Sequence, residues 1–261
     1  LLLEEETLAE KLKQVGYSTW HIGKWHLGDD EKYWPQNQGF DVNIAGCDRG
    51  APNRRKDSDC NGYFSPYCLP NIQDGSEGEY LTDRLTDEAI QLIRERKENP
   101  FFLYLSHYAV HLPIQAKENM INKYKKIGSK LDTSFNFEYA AMIESVDESV
   151  DKIMKNLKKE KILENTLIIF ASDNGALQRV ISNKPLREGK GYAYEGGTRT
   201  PLILFWKNII EEGKIIQEPV ITMDIFSTIL DVCGLQQDHS IDGKSLMPVV
   251  LKNHKYNRPL F

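Results

Sequence analysis

The sequence predicts an α/β protein built around a largely parallel sheet. Apolar runs of strand length alternate with segments of helical periodicity along the 261 residues, and strands separated by helices are typical of parallel sheets. The composition is 40% hydrophobic and 27% charged, which is ordinary for a globular protein. The length is enough for one large domain or two small ones.

The first predicted elements are a short helix and a strand. Residues 7–16 begin with a capping box, place three apolar residues on one face and end at a glycine, which together predict a helix. A strand is predicted over residues 18–22. The stretch 28–79 is rich in Gly, Pro, Asn and Asp and has little periodicity. Loops of this length are usually functional or disordered, and we interpret this one as an ordered active-site surround because it carries several aromatic residues.

The later elements follow from apolar periodicity and from glycine and proline breaks. In chain order they are a helix from 81 to 98, a strand over 101–105, a long helix over 139–157, strands over 166–171 and 201–206, a helix over 224–233 and a strand-like run at 257–261. The strands at 101–105 and 166–171 are nearly continuous apolar runs, so we expect both of their faces to be buried.

Charge and composition exclude some classes of function. The formal net charge is −5, and the basic residues form no stripe interleaved with aromatics, so we expect no nucleic-acid binding. No apolar run approaches the ~20 residues of a membrane span, and the start has no signal-peptide pattern. The four cysteines lack the spacing of a zinc site. Cys60 and Cys68 lie in one loop and could pair if the protein is exported; free thiols are the alternative.

Polar side chains follow three of the predicted strands at their carboxyl ends, where open α/β sheets bind ligands. They are Lys24 and His26 after the first strand, His107 and His111 after the strand at 101–105, and Asp173 and Asn174 after the strand at 166–171. Residues two apart in an extended stretch project to the same side. Lys24 and His26 could therefore reach one anionic group, with Trp25 facing the other way.

These residue types suit the chemistry of a charged ester. Asp173 and Asn174 offer hard oxygens of the kind that Ca²⁺ or Mg²⁺ prefers, although Asp-Asn-Gly is also a favoured turn. His111 can act as an acid or base near neutral pH, and His107 competes for that role. Lys190 lies among glycines that let it approach an anion. A cation, two lysines and two histidines predict a site for a phosphate or sulfate ester; solvated surface side chains are the alternative.

Residues 16–28, with the sequence GYSTWHIGKWHLG, resemble the second signature of the type I sulfatases, the formylglycine-dependent family that includes arylsulfatases. The resemblance continues in the family's order through residues 39–41, 80–83, 100–105, 111–113, 172–175, 189–201 and 242–246, and it covers nearly the whole chain. It implies an alkaline-phosphatase-like sandwich, with a large, mostly parallel central sheet flanked by helices.

The resemblance also implies roles for individual residues. Lys24 and Lys190 resemble the two lysines that bind the sulfate. His26 resembles the histidine that contacts the formylglycine hydrate and helps its sulfated form break down. His111 resembles the histidine beside the ester oxygen, which donates a proton to the leaving group. His107 has no firm counterpart in the family.

The metal site and the nucleophile of the family are matched only in part. Asp173 and Asn174 resemble two of its Ca²⁺ ligands, but the family's pair of amino-terminal aspartates has no match in this sequence. The Cys-x-Pro-x-Arg motif that supplies formylglycine is also missing. The segment at 68–72, Cys-Leu-Pro-Asn-Ile, matches only the start of that motif and lies downstream of the lysine signature, so we interpret it as a coincidence.

We therefore expect a partial sulfatase catalytic domain over residues 1–261, with the carboxy-terminal subdomain missing or only begun after about residue 245. Such a chain is expected to be inactive and poorly stable alone. The implied function of the parent protein is hydrolysis of sulfuric esters of small molecules or glycans, in the periplasm or outside the cell. The alternatives are a phosphate or phosphonate ester hydrolase of the same superfamily, and a non-catalytic remnant that only binds. Aromatic residues between Trp34 and Tyr67 could stack on a sugar or pack within their loop.

Overall fold

The computed structural model describes residues 3–52, 59–128, 135–238 and 241–259. Its helices are α1 (Leu8–Gln14), α2 (Leu81–Arg96), α3 (Glu118–Gly128), α4 (Phe137–Lys159), α5 (Glu195–Thr198), α6 (Met223–Val232) and α7 (Met247–Lys252). Its strands are β1 (Ser18–Gly23), β2 (Val42–Ile44), β3 (Phe101–Ser106), β4 (Ile168–Ala171) and β5 (Leu202–Phe205).

The predicted helices and all but one of the predicted strands are present at nearly the expected positions. The run at 257–261 forms no strand within the described residues, and its last two residues lie outside them. Sequence periodicity did not indicate β2, α3, α5 or α7. Three of these four have six residues or fewer, too few to repeat an apolar pattern.

The α/β class and its parallel sheet are confirmed. β2, β1 and β3 lie side by side in that order, all parallel. β1 is the central strand, with Trp20 opposite Val42 on one side and Leu103 on the other. Five of its six residues are buried, because a central strand has a neighbour along both edges and covering elements on its faces.

The two later strands are arranged differently. β4 pairs with β5 in an antiparallel two-stranded sheet, with Ile168 opposite Phe205, and so does not extend the parallel ladder. The expectation of burial on both faces is wrong for β3 and β4, whose side chains are partly buried at best. Tyr104 in β3 is 47% exposed. Each of these strands has one neighbouring strand among the described residues, and an edge strand is covered less completely than a central one.

The two faces of the parallel sheet pack in separate clusters. Trp20 and Ile22 belong to the main core, which includes apolar residues of α2 and α4. On the opposite face, the His21 ring makes edge contacts with Trp25 and Phe40, which cluster with Ala9 of α1. Both sides of β1 are therefore fixed by packing immediately before the chain enters the predicted anion-binding turn.

Asp83 links three parts of the helical layer. Its carboxylate lies 2.7 Å from Lys117 Nζ, just before α3, and 3.0 Å from Lys152 Nζ in α4. Burial opposes its ionisation, but the two ammonium groups lower its pKa overall. The 80–83 segment thus contributes to helix packing. Within the described residues, no helix combines the length and apolar character needed to cross a membrane.

Candidate active site

The turn after β1 presents Lys24 and His26 to a cavity of about 500 Å³. Trp25 points away from it, is 9% exposed, and donates its Nε1 hydrogen to Tyr33 O at 2.7 Å. The backbone does not stay extended, because His26 has a left-handed φ of 60°. The expected arrangement, with lysine and histidine on one side and tryptophan on the other, is nevertheless present.

Backbone contacts fix this turn against neighbouring strands. Lys24 N donates to Ser106 O at the end of β3 (2.7 Å), and His26 N donates to Cys47 O beyond β2 (2.9 Å). Gly23 has a φ of 106°, and a Cβ there would lie 2.0 Å from Ser106 O. Only glycine allows this approach, so Lys24 starts from a backbone position set by the parallel sheet.

His111 reaches the same cavity from the loop after β3. Its N donates to Tyr108 O at 3.0 Å, and the Tyr63 hydroxyl donates to His111 O at 2.9 Å. Partial burial lowers the pKa of His111, and the positive charges of Lys190 and Lys24 lower it further. The imidazole is therefore biased toward its neutral form.

His107 takes no part in the cavity. Its Nε2 lies 3.0 Å from Ser149 Oγ in α4, and its Nδ1 is buried without a hydrogen-bond partner among the described residues. Burial lowers the pKa of His107 to about 4. This histidine packs between β3 and α4. The family resemblance gave His107 no firm counterpart, and the residue does not line the cavity.

Lys190 approaches the cavity from the glycine-rich loop after β4. Its N donates to Ala176 O at 3.0 Å. A Cβ at Gly175 would lie 1.7 Å from Gly196 O, so two segments of the loop touch through their backbones. Burial lowers the pKa of Lys24; Asp173 opposes this shift and Lys190 adds to it. Charged groups from separate parts of the chain therefore interact electrostatically at this cavity.

Asp173 and Asn174 lie just after β4, and their side chains carry hard oxygens of the kind that bind Ca²⁺. One Asp173 carboxylate oxygen accepts the Asn174 N hydrogen (2.9 Å), and the Asn174 amide nitrogen donates to Gly175 O (3.0 Å). Within the described ranges, the second Asp173 carboxylate oxygen and the Asn174 amide oxygen make no hydrogen bond and could bind a ligand. Calcium takes six to eight oxygens, and the described residues contain no cluster of three or more His, Cys, Asp or Glu side chains that could hold a metal ion. The chemistry fits Ca²⁺, but this pair is an incomplete set.

Sequence reasoning missed the segment from 47 to 51, in which Asp48, Arg49, Gly50 and Ala51 line the cavity. This segment follows β2, whose three residues are too few to indicate a strand. A Cβ at Gly50 would lie 2.6 Å from His26 Cε1 and Nδ1. The backbone of residue 50 therefore rests on the His26 ring. The available signal was the alternation Val-Asn-Ile over residues 42–44, followed by small and charged residues.

The structure decides two questions that the sequence left open. Cys60 and Cys68 form a disulfide, which is consistent with the 68–72 segment being unrelated to the family's nucleophile. Tyr63 and Tyr67 are fully buried and Phe40 is 5% exposed. Tyr63 and Tyr67 belong to the main core, and Phe40 packs against Trp25 and Phe102 beside β1. These three rings offer no exposed platform for a sugar, whereas Trp34 and Phe64 are partly buried.

Comparison with known proteins identifies the family. Residues 1–235 match the family model described as Sulfatase, and the chain belongs to the sulfatase family. Rat N-acetylgalactosamine-6-sulfatase is 33% identical over 276 residues, which cover 98% of this chain and 50% of that protein. The chain spans about half the length of the curated relatives it matches.

Solved structures agree with this assignment. Ps i-CgsB in complex with k-i-k-neocarrahexaose is 30% identical, with a TM-score of 0.83, over 97% of this chain and 59% of that one. A phosphonate monoester hydrolase from Silicibacter pomeroyi shares the fold, with a TM-score of 0.64 at 15% identity over 99% of this chain and 64% of its own.

Proposed function

We propose that this chain forms part of the active site of a sulfuric ester hydrolase whose substrate is a sulfated carbohydrate. The observation that carries the proposal is the convergence of Lys24, His26, His111 and Lys190 on one cavity. Membership of the sulfatase family supports the reaction class. The names of a relative that acts on a sulfated amino sugar and of a structure solved with a carrageenan-type oligosaccharide support the substrate class.

Lys24 and Lys190 bind the ester sulfate. Their charges repel each other, since Lys190 contributes to the lowered pKa of Lys24. A sulfate placed between the two ammonium groups removes this repulsion and gains charge-assisted hydrogen bonds. Such fixed positive groups also stabilise negative charge that develops on the transferring group.

His111 donates a proton to the leaving oxygen. Burial lowers the pKa of His111 and the two lysines lower it further in the free site. A bound anion offsets the lysine charges, so binding favours the protonated imidazole that the reaction needs. His26 lies against the nucleophile position, where the Gly50 backbone keeps its ring in place. The residue that becomes formylglycine in the family has no match in this sequence, so the role given to His26 concerns its position alone.

Asp173 and Asn174 supply part of a Ca²⁺ site. Both offer the hard oxygens that calcium prefers, and Asp173 interacts electrostatically with Lys24 and His111, so a cation there would adjoin the sulfate. When bound, Ca²⁺ contributes positive charge that stabilises the sulfate oxygens. We also propose a periplasmic or extracellular location, because the Cys60–Cys68 disulfide favours an oxidising compartment.

Anion binding by the 261-residue chain tests this proposal without requiring turnover. Titration calorimetry would compare N-acetylgalactosamine 6-sulfate, the matching 6-phosphate and the unsubstituted sugar. We expect the sulfate ester to bind best, and K24A and K190A each to weaken it about tenfold, as expected for loss of a charged hydrogen bond. K252A, which removes an exposed lysine of α7, is the matched control.

The other outcomes would contradict this proposal in different ways. Preference for the 6-phosphate would favour a phosphate or phosphonate ester hydrolase, a reaction class of the Silicibacter neighbour that shares this fold. Equal binding of the sulfated and unsubstituted sugars would contradict an anion site at Lys24 and Lys190. Tight binding that survives K24A and K190A would move the site elsewhere on the molecule.

A further inference from the structure

We propose that Arg49 selects sulfate esters whose leaving group carries a second sulfate, on the same sugar or on its neighbour. This inference rests on the proposed function, since it concerns recognition of the sugar attached to the ester sulfate. It adds a specificity residue that neither the family signature nor the strand-end pattern of the sequence indicated.

The position of Arg49 follows from β2. This strand runs parallel to β1, so the chain leaving it arrives at the same edge of the sheet as Lys24 and His26. Cys47 O accepts the His26 N hydrogen at 2.9 Å, and Gly50 touches the His26 ring. Arg49 lies between these two attachment points and lines the cavity. It therefore borders the ligand from the side of His26.

The Arg49 guanidinium group has N–H donors that remain available to a ligand. Its Nη1 donates to the Cys68 carbonyl, and no carboxylate pairs with it among the described residues. A guanidinium has five N–H donors in a planar fork that matches a sulfate edge. One interaction with a carbonyl therefore leaves several donors for a ligand.

The Cys68 carbonyl holds Arg49 in place. Cys68 is joined to Cys60 by a disulfide, and its N donates to the Asp74 carboxylate at 3.3 Å. The acceptor is thus part of a covalently closed loop. A side chain anchored before the ligand arrives loses less conformational entropy on binding, which favours selective recognition.

The charges that line the cavity leave a place for a second anion. Lys24, Lys190 and Arg49 are cationic and Asp48 is the one carboxylate among the cavity-lining residues, so their sum is positive by two. A sulfate monoester carries a single negative charge, so a net positive charge of one remains in the cavity. Arg49 is the cation of this set that the family resemblance does not assign to the ester sulfate, and a further anionic group on the sugar would complement it.

The test measures the preference for a second sulfate by calorimetry on the whole chain. Two ligand pairs are used: glucosamine 6-sulfate against glucosamine 2-N,6-O-disulfate, and a monosulfated against a disulfated N-acetylgalactosamine-containing disaccharide. We expect at least one disulfated ligand to bind about tenfold more tightly than its partner. R49A should abolish that preference while changing the affinity for the monosulfated ligand less than about twofold.

Two further variants separate geometry from general charge. R49K keeps the charge but not the planar fork, so we expect it to recover only part of the preference. R96A removes an exposed arginine at the end of α2 and should leave both affinities unchanged. The inference is overturned if neither pair shows a preference, or if the preference survives in R49A. If K24A leaves binding of the monosulfated ligands intact, the proposed function itself fails; if K24A weakens it and R49A does not alter the preference, only this inference fails.

Discussion

The candidate site is assembled from two regions that differ in how firmly they are packed. Lys24 and His26 follow β1, a central strand whose residues after Ser18 are all buried. Lys190 lies in the loop after β4, where Tyr192 is 54% exposed and the paired strand β5 exposes 58% of Ile203. One wall of the cavity thus follows directly from a buried core strand, while the other is a surface loop packed on itself.

This difference indicates how the site handles its ligand. On the β1 side, a backbone hydrogen bond and the contact with Gly50 hold His26, whose side chain is otherwise exposed. A fixed backbone suits the role proposed for His26 beside a reacting atom. The loop side has fewer buried contacts, and such regions open locally at lower free-energy cost. We infer that Lys190 adjusts to the anion while Lys24 and His26 do not.

The largest expected contrast comes from two glycines with positive φ, one on each side. Gly23→Ala places a Cβ 2.0 Å from Ser106 O, whereas Gly191→Ala meets nothing within 4 Å. We expect G23A to lower the free energy of unfolding by roughly 4 kcal/mol, from overlap plus backbone strain. G191A should cost about 1 kcal/mol, from strain alone. Urea unfolding measures both, and equal losses would show that the two walls do not differ in packing.

A second contrast comes from the pH dependence of stability on the packed side. Burial lowers the pKa of His107 to about 4 from an ordinary value of 6.5, so the unfolded chain binds the proton first. The free energy of unfolding is therefore highest, with respect to His107, above pH 6.5. It decreases as the pH falls toward 4, because protonation of His107 then favours the unfolded chain. The loss amounts to about 3 kcal/mol.

Variants of two histidines check this assignment. H107Q retains a group that can bond to Ser149 but cannot titrate, so its free energy of unfolding should change less between pH 7 and pH 4 than that of the wild type. H254Q, at an exposed position, should follow the wild-type curve. If H107Q and the wild type lose stability in parallel, the acid sensitivity arises from other groups.

The smallest expected effect is a change of ligand affinity with pH, and it depends on lysines from both walls of the cavity. Lys24 and Lys190 both contribute to the lowered pKa of His111, and a bound sulfate offsets their charge. Sulfate binding should therefore tighten as the pH falls below neutrality, by about 1 kcal/mol or less for this partly exposed group. H111Q should flatten the dependence. Calorimetry between pH 5 and pH 8 measures it, and weaker binding at lower pH would contradict the assignment.

Part of the site could be predicted because its residues follow recognisable strands. Lys24 and His111 come after β1 and β3, whose parallel ends meet at one edge of the sheet. Asp173 follows β4, which pairs with β5 in a separate sheet, so that rule does not account for its position. Arg49 escaped prediction because β2 has three residues. The partial exposure of β3 and β4 was also not predicted, because an apolar run does not reveal how many neighbouring strands its own strand will have.

The sequence by itself determined the family and the α/β class and indicated the residues proposed to bind the anion, since local patterns and a signature carry that information. The tertiary structure alone decided which strand is central, that β4 and β5 pair antiparallel, that Cys60 and Cys68 are joined, and that His107 faces α4. It also decided that the backbone at Gly50 rests on His26 and brings Arg49 to the cavity. Apart from the disulfide, whose cysteines are eight residues apart, these features depend on contacts between segments far apart in the chain, which no local pattern encodes.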